Sequence, residues 1–244
     1  MTSSKAKKSV IGFSRIKPRF HLTLDFTGEP SITIKGSKRY WIYGWIPRHL
    51  HPTGHSIYNF HSIYKVSENP MKDCIIWYDR VNGVLGRRIN KANVWIINEK
   101  RTDWLKSQQE TIEDVSIFDC GYQDVEYFLN SIKITGSLNI ALGYNNNQLR
   151  MEIPEDTTNL SIRNASFIGY EQFMRLKHQN IILHGSILTN QDINEFLKSW
   201  MLSESHLHLK SLKIIVLGPP TMDVIMELPF QWTTDSNLIT KFAG

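Results

Sequence analysis

Cysteine is scarce in this chain. Only Cys74 and Cys120 occur in 244 residues, far apart and without CxxC or Cys/His finger spacing. That excludes a disulfide framework and the common zinc-finger patterns, and it points to reduced, buried thiols in an intracellular setting, cytoplasm or nucleus. Long apolar runs are also missing. No window approaches about 18 consecutive apolar residues, so no transmembrane helix is expected. The opening stretch, residues 1–8, is polar and no apolar core of a signal peptide follows it. The sequons at Asn159 and Asn164 therefore read as chance matches. Nucleotide and hydrolase signatures are absent too: there is no P-loop, GxGxxG, HExxH or GxSxG. The acids Asp79, Asp103, Glu110 and Glu113 show no spacing that makes an acid/base pair. No enzyme and no cofactor is expected.

The composition is globular, with 41% hydrophobic and 11% aromatic residues and a net charge of +5. Lys5, Lys7, Lys8, Arg15, Lys17 and Arg19 precede the first acid, Asp25. Such a run reads first as a solvated end and second as a contact for an acidic partner.

Short β-type apolar runs recur. They begin at Val94, Val115, Leu138, Leu160, Ile181 and Leu212, with intervals of 21, 23, 22, 21 and 31 residues. One strand per 20 to 29 residues is the spacing of leucine-rich-repeat-like arrays. The consensus survives only in fragments such as "NLSIRNASF". Between the runs the period turns helical. Trp104 and Leu105 share one stretch; Val125, Phe128, Leu129 and Ile132 share another; Tyr170, Phe173, Met174 and Lys177 a third. "LTNQDINEFLKSW" carries Ile193, Phe196, Leu197, Trp200 and Met201 at i, i+3, i+4, i+7 and i+8. Thr189 or Asn190 caps it, and Asp192 completes a capping box with Thr189. Burying five such residues contributes on the order of 10 kcal/mol before entropy is counted. The unit between Leu142 and Leu160 lacks a helical stripe, and "LRMEI" is expected to be a short strand.

The first third differs. "FHLTLDF" and "SITIKG" alternate around "GEP" and predict a hairpin; "KRYWIYGWIP" adds a strand. The stretch from Met71 through Cys74, Ile75, Tyr78 and Val81 predicts a helix ending near Gly83. After Leu217 the prolines and weak periodicity suggest a cap or tail.

Two histidine groups are candidate metal ligands, because alternate histidines on one strand can share an ion. His49, His51 and His55, with His61 near, are broken by Pro52 and Gly54. His206 and His208 lie in a loop and are expected at the surface. No metal site is assigned, and Cys120 is read as a structural thiol. Lys38, Arg39 and Arg48 among Tyr40, Trp41, Tyr43 and Trp45 could serve single-stranded nucleic acid. That remains the alternative function; the bland reading is a strand half core and half surface.

Four stretches, "DWLKSQQETIEDVSI", "YFLNSIKITGSL", "NIILHGS" and "LTNQDINEFLKSW", resemble the F-box-associated domain, second type, of the large nematode family of F-box proteins. The resemblance runs from Phe20 to Leu217, strongest from Asp103 onward. It implies a non-catalytic module that holds a substrate protein for a cullin-based ubiquitin ligase, while an F-box binds the Skp-type adaptor. Here "TSSKAKKSVIGFSR" looks like the end of an F-box; the Leu-Pro opening is absent, so no adaptor-binding residue is carried over. The adaptor is a partner only where another isoform supplies the full F-box.

The expectation is an α/β chain: an irregular leucine-rich-repeat-like solenoid of parallel strands with outer helices, preceded by a small β region. Residues 1–18 would be the F-box remnant, 19–66 the β region, 67–217 the F-box-associated domain and 218–244 a cap or tail. The partner is an unknown target protein, with no membrane and no nucleic acid in the primary reading. Alternation along the strands nominates Asn139, Ser161, Arg163, His184, Lys213 and Ile215 as target-binding residues.

Overall fold

A computed structural model describes residues 20–216, apart from 51–56, 60, 87, 96, 97, 120 and 144–150. The N-terminal remnant, the C-terminal tail, His51, His55 and Cys120 lie outside the described residues.

Alternation builds the first three strands. β1 (His21–Phe26), β2 (Ser31–Lys35) and β3 (Tyr40–Pro47) pair antiparallel in sequence order. The hairpin and third strand expected from the period-two pattern are therefore present. β4 (Ile57–Asn59) and β5 (Ser62–Ser67) follow, and β5 lies parallel to β3. Gly44 on β3 makes that approach possible, because a Cβ there would sit 2.4 Å from the Tyr64 ring.

α1 (Pro70–Leu85) starts where Asn69 caps the Lys72 N–H and Pro70 takes the first turn. It ends at Gly86 in the left-handed region, φ 58°, three residues beyond the expected Gly83. Gly83 lies inside the helix, so the C-terminal signal belonged to the later glycine.

The parallel strands β6 (Lys91–Val94), β8 (Asp114–Phe118), β10 (Ser137–Ala141), β11 (Asn159–Arg163), β12 (Asn180–Ser186) and β13 (Ser211–Val216) come next. Each adds to the same growing edge. β6 pairs in parallel with β1, so the early strands and the parallel ladder form one 11-stranded sheet, mostly parallel. Between them run α2 (Glu99–Gln108), α3 (Tyr122–Ser131), α4 (Tyr170–Arg175) and α5 (Asn190–Met201). Two-residue strands β7 (Thr111–Ile112) and β9 (Lys133–Ile134) pair in parallel as a separate small sheet.

The sequence period is a hydrogen-bond register. Leu24, Ala92, Val115, Leu138, Leu160, Ile181 and Leu212 stand opposite one another, rung by rung. Two residues on, Phe26, Val94, Ile117, Ile140, Ile162, Leu183 and Ile214 do the same. Both rows face the helices, buried except for half-buried Leu212 and Ile214 at the far edge. The first run is displaced from expectation. β6 closes at Val94, and the alternation that matters begins at Ala92, too small to register as part of an apolar run.

Units without a strong helix are held by other means. The segment after β10 is not a strand at Met151–Ile153; those two side chains are buried and take the place of a helical stripe. Its carbonyls and acids tie to the next unit, Gln172 to the Met151 carbonyl at 2.5 Å and Lys177 to Glu155 at 2.5 Å. Asn164 reaches back one unit to the Leu142 carbonyl. Buried Gln109 accepts from the Ile89 N–H and donates to the Ile89 carbonyl, at 2.7 and 2.8 Å.

The α5 capping box forms as expected, Thr189 accepting from the Asp192 N–H and Asp192 from the Thr189 N–H. Its apolar stripe is only partly buried. Phe196 is enclosed, Ile193 and Leu197 are half-buried, but Trp200 and Met201 are 41% and 52% exposed. The helix packs on the preceding unit through Phe196, whose ring meets Phe173 edge-on at 5.0 Å.

Candidate functional site

Strand alternation sends every second side chain to the face away from the helices. On that face the register again makes rows. One row runs Asp114, Ser137, Asn159, Asn180. Asn180 donates to Asn159 at 2.6 Å, Asn159 to Ser137 at 3.1 Å, and the Ser137 N–H to Asp114 at 2.9 Å. The Asn159 and Asn164 amides are thus engaged in the fold. The next row holds Asp25, Asn93, Ser116, Asn139, Ser161, Ile182 and Lys213, with Asn93 donating to Asp25 at 2.9 Å.

The outermost row lies at the strands' C-terminal ends and changes character. Phe118, Ala141, Arg163, His184 and Ile215 stand in register. Trp95, one residue past the Val94–Ile117 pair, extends the row beside Phe118. At about 4.8 Å per strand the row is about 24 Å long. Trp95, Phe118 and Ile215 are 48%, 37% and 43% exposed, high values for large apolar side chains on a sheet. Trp95, Phe118 and Ala141, with Thr27 and Asp119, line a shallow depression of about 400 Å³. Asp119 closes its rim in the left-handed region, φ 45°, and its N–H donates to the Ala141 carbonyl at 2.8 Å.

All six nominated residues lie on this face, and in two adjacent rows. Asn139, Ser161 and Lys213 occupy the middle row; Arg163, His184 and Ile215 the outer one. The sequence reading missed Trp95, Phe118 and Asp119. Both aromatics lie within apolar runs, whose hydrophobicity alone gives no direction. Counting alternation outward from the buried Val115 and Ile117 would have placed Phe118 outside.

The other candidates disperse. Trp45 is buried and Tyr43 stacks on Trp77 at 4.1 Å, leaving Tyr40 and Trp41 exposed; Arg48 pairs with Glu68 at 2.5 Å. The aromatic series of the nucleic-acid alternative is thus half committed to packing. His61 lies against Tyr40, ring centres 5.2 Å apart. His208 is exposed, as expected, whereas His206 is half-buried. It packs between Phe173 and Phe196, at 5.6 and 5.0 Å, and its Nε2 meets the Phe173 carbonyl at 3.2 Å. A left-handed φ of 49° turns the chain so that the ring points inward. His178 is fully buried, Nε2 on the Pro154 carbonyl at 3.1 Å. Burial pushes both pKa values below the usual histidine value. Burial also pushes the Cys74 thiol up to about 12, so it stays protonated and inert near neutral pH. Among the described residues no group of three or more His, Cys, Asp or Glu could hold a metal, and no helix is long and apolar enough to cross a membrane.

Residues 148–214 match the family model described as F-box associated. The matched stretch contains "NIILHGS" and "LTNQDINEFLKSW" and, of the nominated residues, Ser161, Arg163, His184 and Lys213. No curated protein and no solved structure matches.

Proposed function

We propose that this chain, which carries an F-box-associated region at residues 148–214, is a non-catalytic module that binds a target protein on its outward sheet face. The observation that carries the reading is the outer row of the sheet. An aromatic depression at Trp95 and Phe118 runs on through Ala141 into Arg163, His184 and Ile215. Tryptophan and arginine, on a rigid platform beside polar side chains, are the residue types that dominate protein interfaces. The strands fix the spacing, so little ordering entropy is lost on binding.

On this reading the one-strand-per-unit progression is an irregular leucine-rich-repeat-like array, its strand side serving as the binding side. The family match supports a protein-interaction module suited to substrate recognition; in cullin-based ubiquitin ligation the Skp-type adaptor would be bound only where another isoform supplies the full F-box. Recruitment would act by raising effective concentration.

The test is comparative affinity capture with mass spectrometry. The full chain and its F118A/R163E variant are used as baits under identical conditions. A target that copurifies with the former and not the latter supports the reading. Identical captures from both overturn the face assignment. Nucleic acid binding through Tyr40 and Trp41 would instead survive F118A/R163E and fall steeply with salt.

A further inference from the structure

A second surface lies on the helix side of the sheet. The first two turns of α1 and α2 border one groove of about 470 Å³. Met71, Ile75, Ile76 and Trp104 form its apolar walls, and Ile76 is 39% exposed. Lys72, Lys100 and Arg101 stand around it, and none of the described lining residues is an acid. Nearby carboxylates are turned to other work: Asp73 accepts from Ser67 at 2.7 Å and Asp103 from Tyr127 at 2.7 Å. Glu99, the remaining acid of the α2 first turn, does not line the groove.

The position of the cations is informative. All three lie in the first turn of a helix, where the partial positive charge of the N-terminus disfavours them. The caps are already satisfied within the chain, Asn69 to the Lys72 N–H and Asn98 to the Arg101 N–H, at 3.1 and 3.0 Å. Lys72 and Lys100 thus add positive charge at two helix ends beside an apolar trough. A negatively charged, partly apolar occupant relieves that repulsion and covers the exposed isoleucine.

We propose that this groove docks a short acidic segment of a partner protein, one large apolar side chain in the trough and flanking carboxylates beside Lys72 and Lys100. It is separate from the outward sheet face and stands or falls independently of it. The probe is a fluorescently labelled peptide with a Phe-Leu pair flanked by glutamates, titrated with the full chain and read by anisotropy. Saturable binding is expected. K72E/K100E should weaken it by about tenfold or more, from two lost and reversed charge pairs. Ile76→Ser should weaken it without changing its salt dependence. K72E/K100E should also unfold no earlier in urea than the parent, because its new charges suit the helix ends; lost binding is then not lost folding. The proposal is overturned by the absence of saturable binding, by equal binding of the same peptide with glutamine in place of glutamate, or by a dimer that K72E/K100E dissociates, which would give the groove to a second copy.

Discussion

Replacing Phe196 by alanine tests how the last units are joined. The ring is fully enclosed and meets Phe173 at 5.0 Å edge-on, His206 at 5.0 Å edge-on and Trp200 stacked at 6.4 Å. It comes from α5 and packs on a ring from α4, so it joins two units across the space between their helices. Truncating a buried phenylalanine to alanine costs about 3–5 kcal/mol, as lost burial plus the cavity left behind. Each edge-on aromatic pair adds about 0.5–1.5 kcal/mol beyond area. The expected loss therefore lies toward the upper part of that range. Trp200→Ala is the internal comparison. That side chain is 41% exposed, so its loss should cost clearly less than that of the enclosed Phe196. Urea unfolding followed by circular dichroism measures both. Hydrogen exchange should show lost protection from α4 through β13 in Phe196→Ala. A Phe196→Ala cost under about 1 kcal/mol, or one equal to that of Trp200→Ala, would refute the reasoning.

Acid should destabilise the fold through buried His178 and half-buried His206. The pKa values of His178 and His206 are lowered from the ordinary 6.5, chiefly by burial. Below that value the unfolded chain takes up protons that the folded chain does not, so stability present above about pH 6.5 is lost as pH falls. Urea midpoints should drop between pH 7.5 and 5, and His178→Asn should flatten part of that slope. Gly44→Ala should cost about 1–3 kcal/mol by forcing Tyr64 aside, a loss that urea unfolding would register. An unchanged midpoint would mean that the Tyr64 ring swings away freely.

The parallel ladder was legible because one physical constraint wrote it. A rung must present an apolar side chain to the helices at each turn of the chain, so Val115, Leu138, Leu160, Ile181 and Leu212 mark both the sequence period and the register. Where the constraint slackens the signal fails. Ala92 fills its rung with almost no hydrophobic weight, and the first strand was placed three residues late. The union of β1 with β6 was not legible, since it joins residues 68 apart through backbone hydrogen bonds that any side chain permits. The α5 stripe was read correctly as a helix and wrongly as fully buried. Periodicity gives the direction in which Trp200 and Met201 point, and the length of the neighbouring surface decides whether anything meets them. The half-burial of His206 was not legible, because a loop histidine's direction depends on a single left-handed residue. On the candidate face, alternation found the polar residues and passed over Trp95 and Phe118, whose hydrophobicity disguised their outward direction.

On the proposed function, the target protein lies across the strands' C-terminal ends. Site-specific photo-crosslinking addresses it directly. A photoreactive phenylalanine analogue is placed at Ala141, between Phe118 and Arg163 on the sheet face, and in a second preparation at exposed Lys106 on α2. Irradiation with the captured target should give a covalent adduct from position 141 and none from position 106. An adduct from position 106 with none from position 141 would contradict the account.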